Sequence, residues 1–225
     1  MKPVIAGAVF DLDGTLMDSM GIWQSLGRDY LKSLGVIAPE SLDEKLQSLS
    51  LEQAAVYMKD EYHLEQSVSQ IVEGIAQLIA DFYQTEASLK PGVQEILVRL
   101  KEAGIPMCVL TATAQELAEA ALFRTGVLPY FEAVLSCTSA KESKNQPGAF
   151  KTACQLLKTA PENTLVFEDA LYALRAAEQA GCQTVGIYDR FEPQPEALRE
   201  TADLWLPDWQ KNEALVKRLK EGKQK

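Results

Sequence analysis

Two hydrophobic rhythms divide the chain. Short, nearly continuous apolar runs recur at VIAGAVF (4–10), IPMCVLT (105–111), FEAVLS (131–136), TLVFE (164–168) and QTVGIY (183–188). Each has the length and branched content of a strand buried on both faces. Between the later runs, helical patterns close on glycine: VQEILVRLKEAG at Gly104, ELAEAALFRTG at Gly126 and LYALRAAEQAG at Gly181. Glycine just past a helix supplies the left-handed residue that stops it. Helix, glycine, strand, repeated, predicts crossover units feeding a parallel sheet, hence a doubly wound α/β fold.

Residues 17–89 follow the other rhythm. GIWQSLGRDYLKSLG places Ile22, Trp23, Leu26, Tyr30 and Leu34 on one helical face, and SVSQIVEGIAQLIADFYQ does the same with Val68, Ile71, Ile75, Leu78, Ile79 and Phe82. No strand pattern intervenes. The predicted organisation is an α/β core domain built from 1–16 and 90–225, with an all-helical cap domain inserted at 17–89. The sheet resumes after the turn at Pro91 and Gly92, and WQKNEALVKRLKEGKQK at the C-terminus reads as a basic helical tail with a solvated lysine face.

Composition then narrows the partners. A chain of 225 residues, 47% hydrophobic, can bury one sizeable core and a small second domain. Its net charge of -10 repels a nucleic-acid backbone and an anionic bilayer alike, so neither is expected as a partner. A phosphorylated ligand would need a local countercharge from a metal or a placed lysine. The cysteines at 108, 137, 154 and 182 form no CxxC pair and sit in or beside apolar runs, which reads as reduced, buried thiols. With no membrane span or cleavable leader legible, a cytoplasmic monomer is the expectation.

The candidate chemistry begins at DLDGT (11–15), directly behind the first predicted strand. A DxD pair at a strand end is usually turn and capping chemistry. Here polar residues also gather at the other predicted strand ends: Thr111 and Thr113 after the second, Lys144 in the loop AKESKNQPGAF after the third, Glu168 and Asp169 after the fourth. In an open parallel sheet the ligand crevice lies beyond those ends. Carboxylates converging there would repel one another unless a cation sat among them, and an all-oxygen set suits a hard ion such as Mg²⁺. Thr111 could then donate to a phosphate oxygen and Lys144 neutralise another, with Lys141 a close rival for that place. His63, in DEYHLEQ, has no evident partner and reads as a helix-surface residue.

These residues resemble the motifs of the haloacid dehalogenase superfamily, in the subgroup with a helical cap after the first motif, which includes β-phosphoglucomutase and many sugar-phosphate and nucleotide phosphatases. DLDGT matches the first motif, VLTAT (109–113) the second, Lys144 with Pro147 and Phe150 the third, and VFEDALYALRAAEQAG (166–181) the fourth. The resemblance implies a Mg²⁺-dependent phosphatase of a small phosphorylated metabolite. Asp11 would be the nucleophile that forms an aspartyl-phosphate, and Asp13 the group that protonates the leaving oxygen and then activates water. Asp11, the Asp13 carbonyl and Asp169, supported by Glu168, would hold the metal. Thr111, Ala112 and Lys144 would bind phosphate.

The chain departs from the family pattern at Asn145 and Gly148 in the third motif and at Ala170 and Ala173, where the family usually has Ser and Gly. In the cap, Trp23 stands where β-phosphoglucomutase has a His, and Leu51 where it has a phosphate-binding Arg. A mutase must anchor a second phosphate, which takes a cation. Hydrolysis is therefore the leading expectation, with Trp23, Gln24 and Leu51 as substrate-facing candidates. A phosphomutase and a weakly catalytic phosphometabolite-binding regulator are the alternatives.

Overall fold

The computed structural model of the protein describes residues 4–46, 49–137 and 142–221. Its centre is a six-stranded sheet of β1 (Gly7–Phe10), β2 (Met107–Thr111), β3 (Ala133–Ser136), β4 (Thr164–Glu168), β5 (Gln183–Ile187) and β6 (Leu204–Leu206). The order is β3-β2-β1-β4-β5-β6, and every neighbouring pair is parallel. The doubly wound α/β sheet predicted from the apolar runs is therefore present. β1, β2 and β4 are buried at every residue, as strands covered on both faces must be. Unforeseen was β6, whose three residues LWL are too few and too exposed on one side to stand out as a run.

Around the sheet lie α5 (Val93–Glu102), α6 (Gln115–Arg124), α7 (Pro147–Leu156) and α8 (Leu171–Gln179), followed by α9 (Pro195–Thr201) and α10 (Glu213–Glu221). The stop predicted at Gly181 takes φ 89°, a left-handed value that a side chain would strain. Alternation along β1 sends successive side chains to opposite faces. Val9 joins Cys108, Leu110 and Val166 beneath Ala149, Phe150 and Ala153 of α7 and Ala173, Ala176 and Ala177 of α8. Phe10 joins an aromatic stack, 4.4 Å from Phe167, which in turn lies 5.4 Å from Trp209.

The C-terminal segment is helical with a solvated lysine face, as expected, and Trp209 adds a buried anchor to it. Trp209 lies in a turn before α10, only 1% exposed, and Arg218 of α10 is likewise buried, donating to Gln183 Oε1 at 2.6 Å. Lys217 on the helix and Lys211 just before it are exposed, as expected of a solvated lysine face.

The chain divides into two compact units, residues 1–18 with 87–225, and residues 19–86. The second unit is all helical: α1 (Met20–Ser33), α2 (Ser41–Leu46), α3 (Leu51–Glu61) and α4 (Val68–Thr85). Reciprocal side-chain to backbone bonds start two of these helices, Ser50 with Gln53 at α3 and Ser67 with Gln70 at α4. Its core is Tyr30, Leu31, Leu42, Ala55, Met58, Ile71 and Ile75. The predicted face of α1 is only partly inward, because Tyr30 and Leu31 are buried while Trp23 stays 40% exposed. His63 is exposed, as expected, but it sits in the turn past α3 at φ 50° rather than on a helix.

Candidate active site

In this strand order the connections run outward in opposite directions from β1 and β4, which leaves a crevice between their carboxyl ends. The β1–β4 pairing extends one residue beyond β1, with the Asp11 amide donating to the Phe167 carbonyl at 3.0 Å. That bond places Asp11 beside Glu168 and Asp169. The chain then folds back through Gly14, at φ 81°, with the amides of Leu16 and Met17 both bonded to the Leu12 carbonyl. Two bonds brace this loop from outside. The Thr15 hydroxyl donates to Asp169 Oδ1 at 2.9 Å, and Trp209 Nε1 donates to the Thr15 carbonyl at 2.9 Å.

Lys144 enters the crevice from the loop before α7 and is buried. Its Nζ lies 2.5 Å from Asp11 Oδ1 and 2.6 Å from Glu168 Oε2. Of the two lysines considered for this place, Lys144 is the one brought to the acids, and Lys141 lies outside the described residues. Asp13 is partly exposed and accepts a hydrogen bond from the Thr113 hydroxyl at 2.6 Å. Thr113 in turn donates its amide to Thr111 Oγ1 at 3.0 Å. Accepting that bond leaves the buried Thr111 hydroxyl hydrogen to be donated elsewhere. Ala112, between the two threonines, is exposed and carries its backbone to the surface.

Asp11, Glu168 and Asp169 are all buried, and an oxygen of each lies within 4.8 Å of the others. Burial, and then the Asp11 and Glu168 charges, raise the Asp169 pKa well above the ordinary carboxylate value. Burial likewise pushes Glu168 up to about 7, against the pull of Lys144. Burial opposes the charge on Lys144, but Asp11 and Glu168 outweigh it and hold its pKa above the ordinary value. Among the described residues one ammonium thus faces three carboxylates, and Glu168 Oε2 has only that ion pair to satisfy it. An all-oxygen donor set with an excess of negative charge fits a hard divalent cation.

Several departures from the family pattern have local answers. Without a hydroxyl, Ala170 cannot cap α8; instead Glu192, from the loop after β5, accepts the Leu171 amide at 3.2 Å. The extra methyl of Ala173 is fully buried between α8 and the sheet. At Gly148 the space a side chain would take is filled by the Glu142 carboxylate.

Some site neighbours were not singled out from the sequence as functional. Thr15 was legible as part of DLDGT. Trp209 and Glu192 reach the site from distant segments and carry no local signal. Tyr172, in the first turn of α8, is 56% exposed, yet desolvation first and the nearby acids second push its hydroxyl up to about 12, against Lys144. In the helical unit, Trp23 and Leu51 line one cavity of about 240 Å³ with Leu26, Leu46 and Met58, while Gln24 is half-buried on α1.

A parallel sheet in this order, with acids beyond β1 and β4 and a lysine reaching between them, defines a class that comparison with known proteins confirms. Residues 8–187 match the haloacid dehalogenase-like hydrolase family, and the chain belongs to it. It is 31% identical over 207 residues to the validoxylamine A 7'-phosphate phosphatase of Streptomyces hygroscopicus subsp. limoneus, covering 89% of this chain and 92% of that protein. Similarity to hexitol phosphatase A of Escherichia coli (strain K12) is 30% over 190 residues, covering 80% of this chain and 82% of the relative. Among solved structures, a Thermotoga maritima protein provisionally named β-phosphoglucomutase shares the fold with a TM-score of 0.82. At 24% identity, that match covers 96% of this chain and 99% of the other.

Proposed function

We propose that this hydrolase is a Mg²⁺-dependent phosphatase of a small phosphorylated sugar or polyol, acting through an aspartyl-phosphate on Asp11. The observation that carries the reading is the gathering of Asp11, Lys144, Glu168 and Asp169 at the crevice between β1 and β4, with Asp13 held by Thr113 alongside. Relatives named validoxylamine A 7'-phosphate phosphatase and hexitol phosphatase A support the substrate class.

Asp11 needs no base to activate it, because a carboxylate is already a nucleophile at neutral pH. Lys144, charged and within 2.5 Å of it, fixes its orientation and neutralises charge on the arriving phosphoryl group. Asp13 is partly open where Asp11 is buried. That access suits a group that gives a proton to the leaving oxygen and later takes one from water. The Thr113 hydroxyl orients its carboxyl group. Thr111 donates to a phosphoryl oxygen, and Ala112 offers its backbone amide. Asp11, Asp169 and the Asp13 carbonyl, with Glu168 behind them, would hold Mg²⁺, which when bound supplies charge neutralisation to the transferring phosphoryl group.

The test is release of inorganic phosphate from sugar phosphates, polyol phosphates and nucleotides, with and without Mg²⁺, beside Asp11→Asn. Turnover is expected to require Mg²⁺ and to fall on the order of 10³-fold or more in the variant. Wild-type turnover no higher than that of Asp11→Asn across the panel would sink the proposal.

A further inference from the structure

We propose that Cys154 and Cys182 form an oxidisable dithiol that closes to a reversible intrachain disulfide when a hydroperoxide reaches it. The two sulfurs are 3.7 Å apart in hydrogen-bond contact, though 28 residues separate them in the chain. Both cysteines are buried, at 1% and 7% exposure, and both are reduced. A bonded pair of sulfurs stands about 2.0 Å apart, so closure asks for a shift of only about 1.7 Å. An access route is present: Cys182, with Glu162, Gly181, Gln183, Asp203 and Arg218, lines a cavity of about 360 Å³. Since Gln183 opens β5, this cavity lies at the amino-terminal edge of the sheet, away from the catalytic acids at the strands' carboxyl ends.

The chemistry balances with the hydroperoxide as sole oxidant. The Cys154 thiol first loses its proton to solvent; the Cys182 sulfur, passing its own proton across the contact to the Cys154 thiolate, then attacks the outer peroxide oxygen. The O–O bond breaks, and the remaining oxygen leaves as water or an alcohol after taking a proton from solvent. Cys154, losing its proton to solvent, then attacks the Cys182 sulfenic sulfur. The S–O bond breaks, hydroxide leaves as water, and the S–S bond forms. Two thiols are oxidised by one electron pair, and the peroxide is reduced by the same pair. The hydrogen bond from Cys182 and one from the Thr164 hydroxyl draw the Cys154 thiol down to about 7 against the effect of burial, which favours Cys154 as the attacking sulfur in the second step.

The location joins this pair to the site's framework. α7 begins three residues after Lys144 and carries Cys154 near its far end, whereas α8 begins just after Asp169 and ends just before Cys182. A disulfide here would fasten the far ends of the two helices whose near ends lead out of the crevice.

The experiment exposes the folded full chain to a small excess of hydrogen peroxide, followed by thiol titration and tryptic peptide mapping. Two of the four thiols should be lost, in a peptide pair linking Cys154 to Cys182, and dithiothreitol should restore both. The same linked peptide should form in Cys137→Ser and be absent from Cys182→Ala. Should Cys182→Ala fail to fold, the wild-type peptide map decides alone. Oxidation confined to Cys137, or a linked peptide that appears only after denaturant is added, would overturn the proposal.

Discussion

Asp11 is buried with Lys144 against it, whereas Asp13, two residues on, is partly open and held by the Thr113 hydroxyl. Identical side chains therefore meet different surroundings, and the roles proposed for them follow from that contrast. Asparagine at position 13 would keep an acceptor for Thr113 but has no proton to deliver. Asp13→Asn is expected to lower kcat about 10²- to 10⁴-fold. Steady-state kinetics should show a smaller loss for an aryl phosphate than for a sugar phosphate, because a good leaving group needs less protonation. Equal losses on both would argue against Asp13 as the proton donor. The acids and Thr111 were legible from sequence because they follow or end strands, where a local motif and a local apolar run coincide, and Lys144 because it stands in the polar loop after the third run. Glu192 and Trp209 were not legible, because their contacts with the Leu171 amide and the Thr15 carbonyl are made across 21 and 194 residues of chain.

At the scale of elements, β1, β2 and β4 were readable because burial on both faces leaves an uninterrupted apolar run, whereas β3 and β5, half-buried in part, still kept short apolar runs. β6 escaped because it has only three residues, two of them half-covered. The segment after it was legible as a helix with a solvated lysine face, but its buried anchor was not foreseen. Its lysines dominate its composition, while its structural weight rests on Trp209, stacked on Phe167 and bonded to the loop that carries Asp11 and Asp13. Trp209→Phe keeps most of the stack and removes the hydrogen bond, leaving the Thr15 carbonyl without its indole partner. Urea unfolding should show a loss of about 1–3 kcal/mol. Trp209→Ala should lose about 3–5 kcal/mol, because a large cavity opens beneath the site.

Across the molecule, the crowded acids tie stability to pH and to metal. Glu168, raised to about 7, and Asp169, also raised, keep protons in the folded protein that the unfolded chain has already released. Below the unfolded values near 4 both states are protonated. As pH rises from there towards 7 the folded state binds more protons than the unfolded one, so these groups lower stability progressively. A divalent ion removes the need for those protons. Mg²⁺ at ten times its Kd should stabilise the folded protein by roughly 1.4 kcal/mol, and a fixed Mg²⁺ concentration should raise Tm more at about pH 7.5 than at about pH 5.5. Calorimetry at the two pH values tests this, and an equal shift at both would count against these acids as the binding site.

The chain leaves and re-enters the α/β unit through one narrow gate. The Asp18 amide meets the Ser88 carbonyl, the Lys90 amide meets the Leu16 carbonyl, both at 2.9 Å, and Met17 bridges to Leu89 between them. To the polymer this is a loop already tied at its neck, and each doubling of a tied loop's length costs only about 0.6 kcal/mol. The scaffold is therefore almost indifferent to what hangs from that knot, so the inserted helices can be exchanged wholesale, like a graft on a standing rootstock, without renegotiating the sheet. A chain in which residues 19–86 give way to a two-residue turn should still unfold cooperatively in urea, with a far-ultraviolet spectrum of mixed helix and strand.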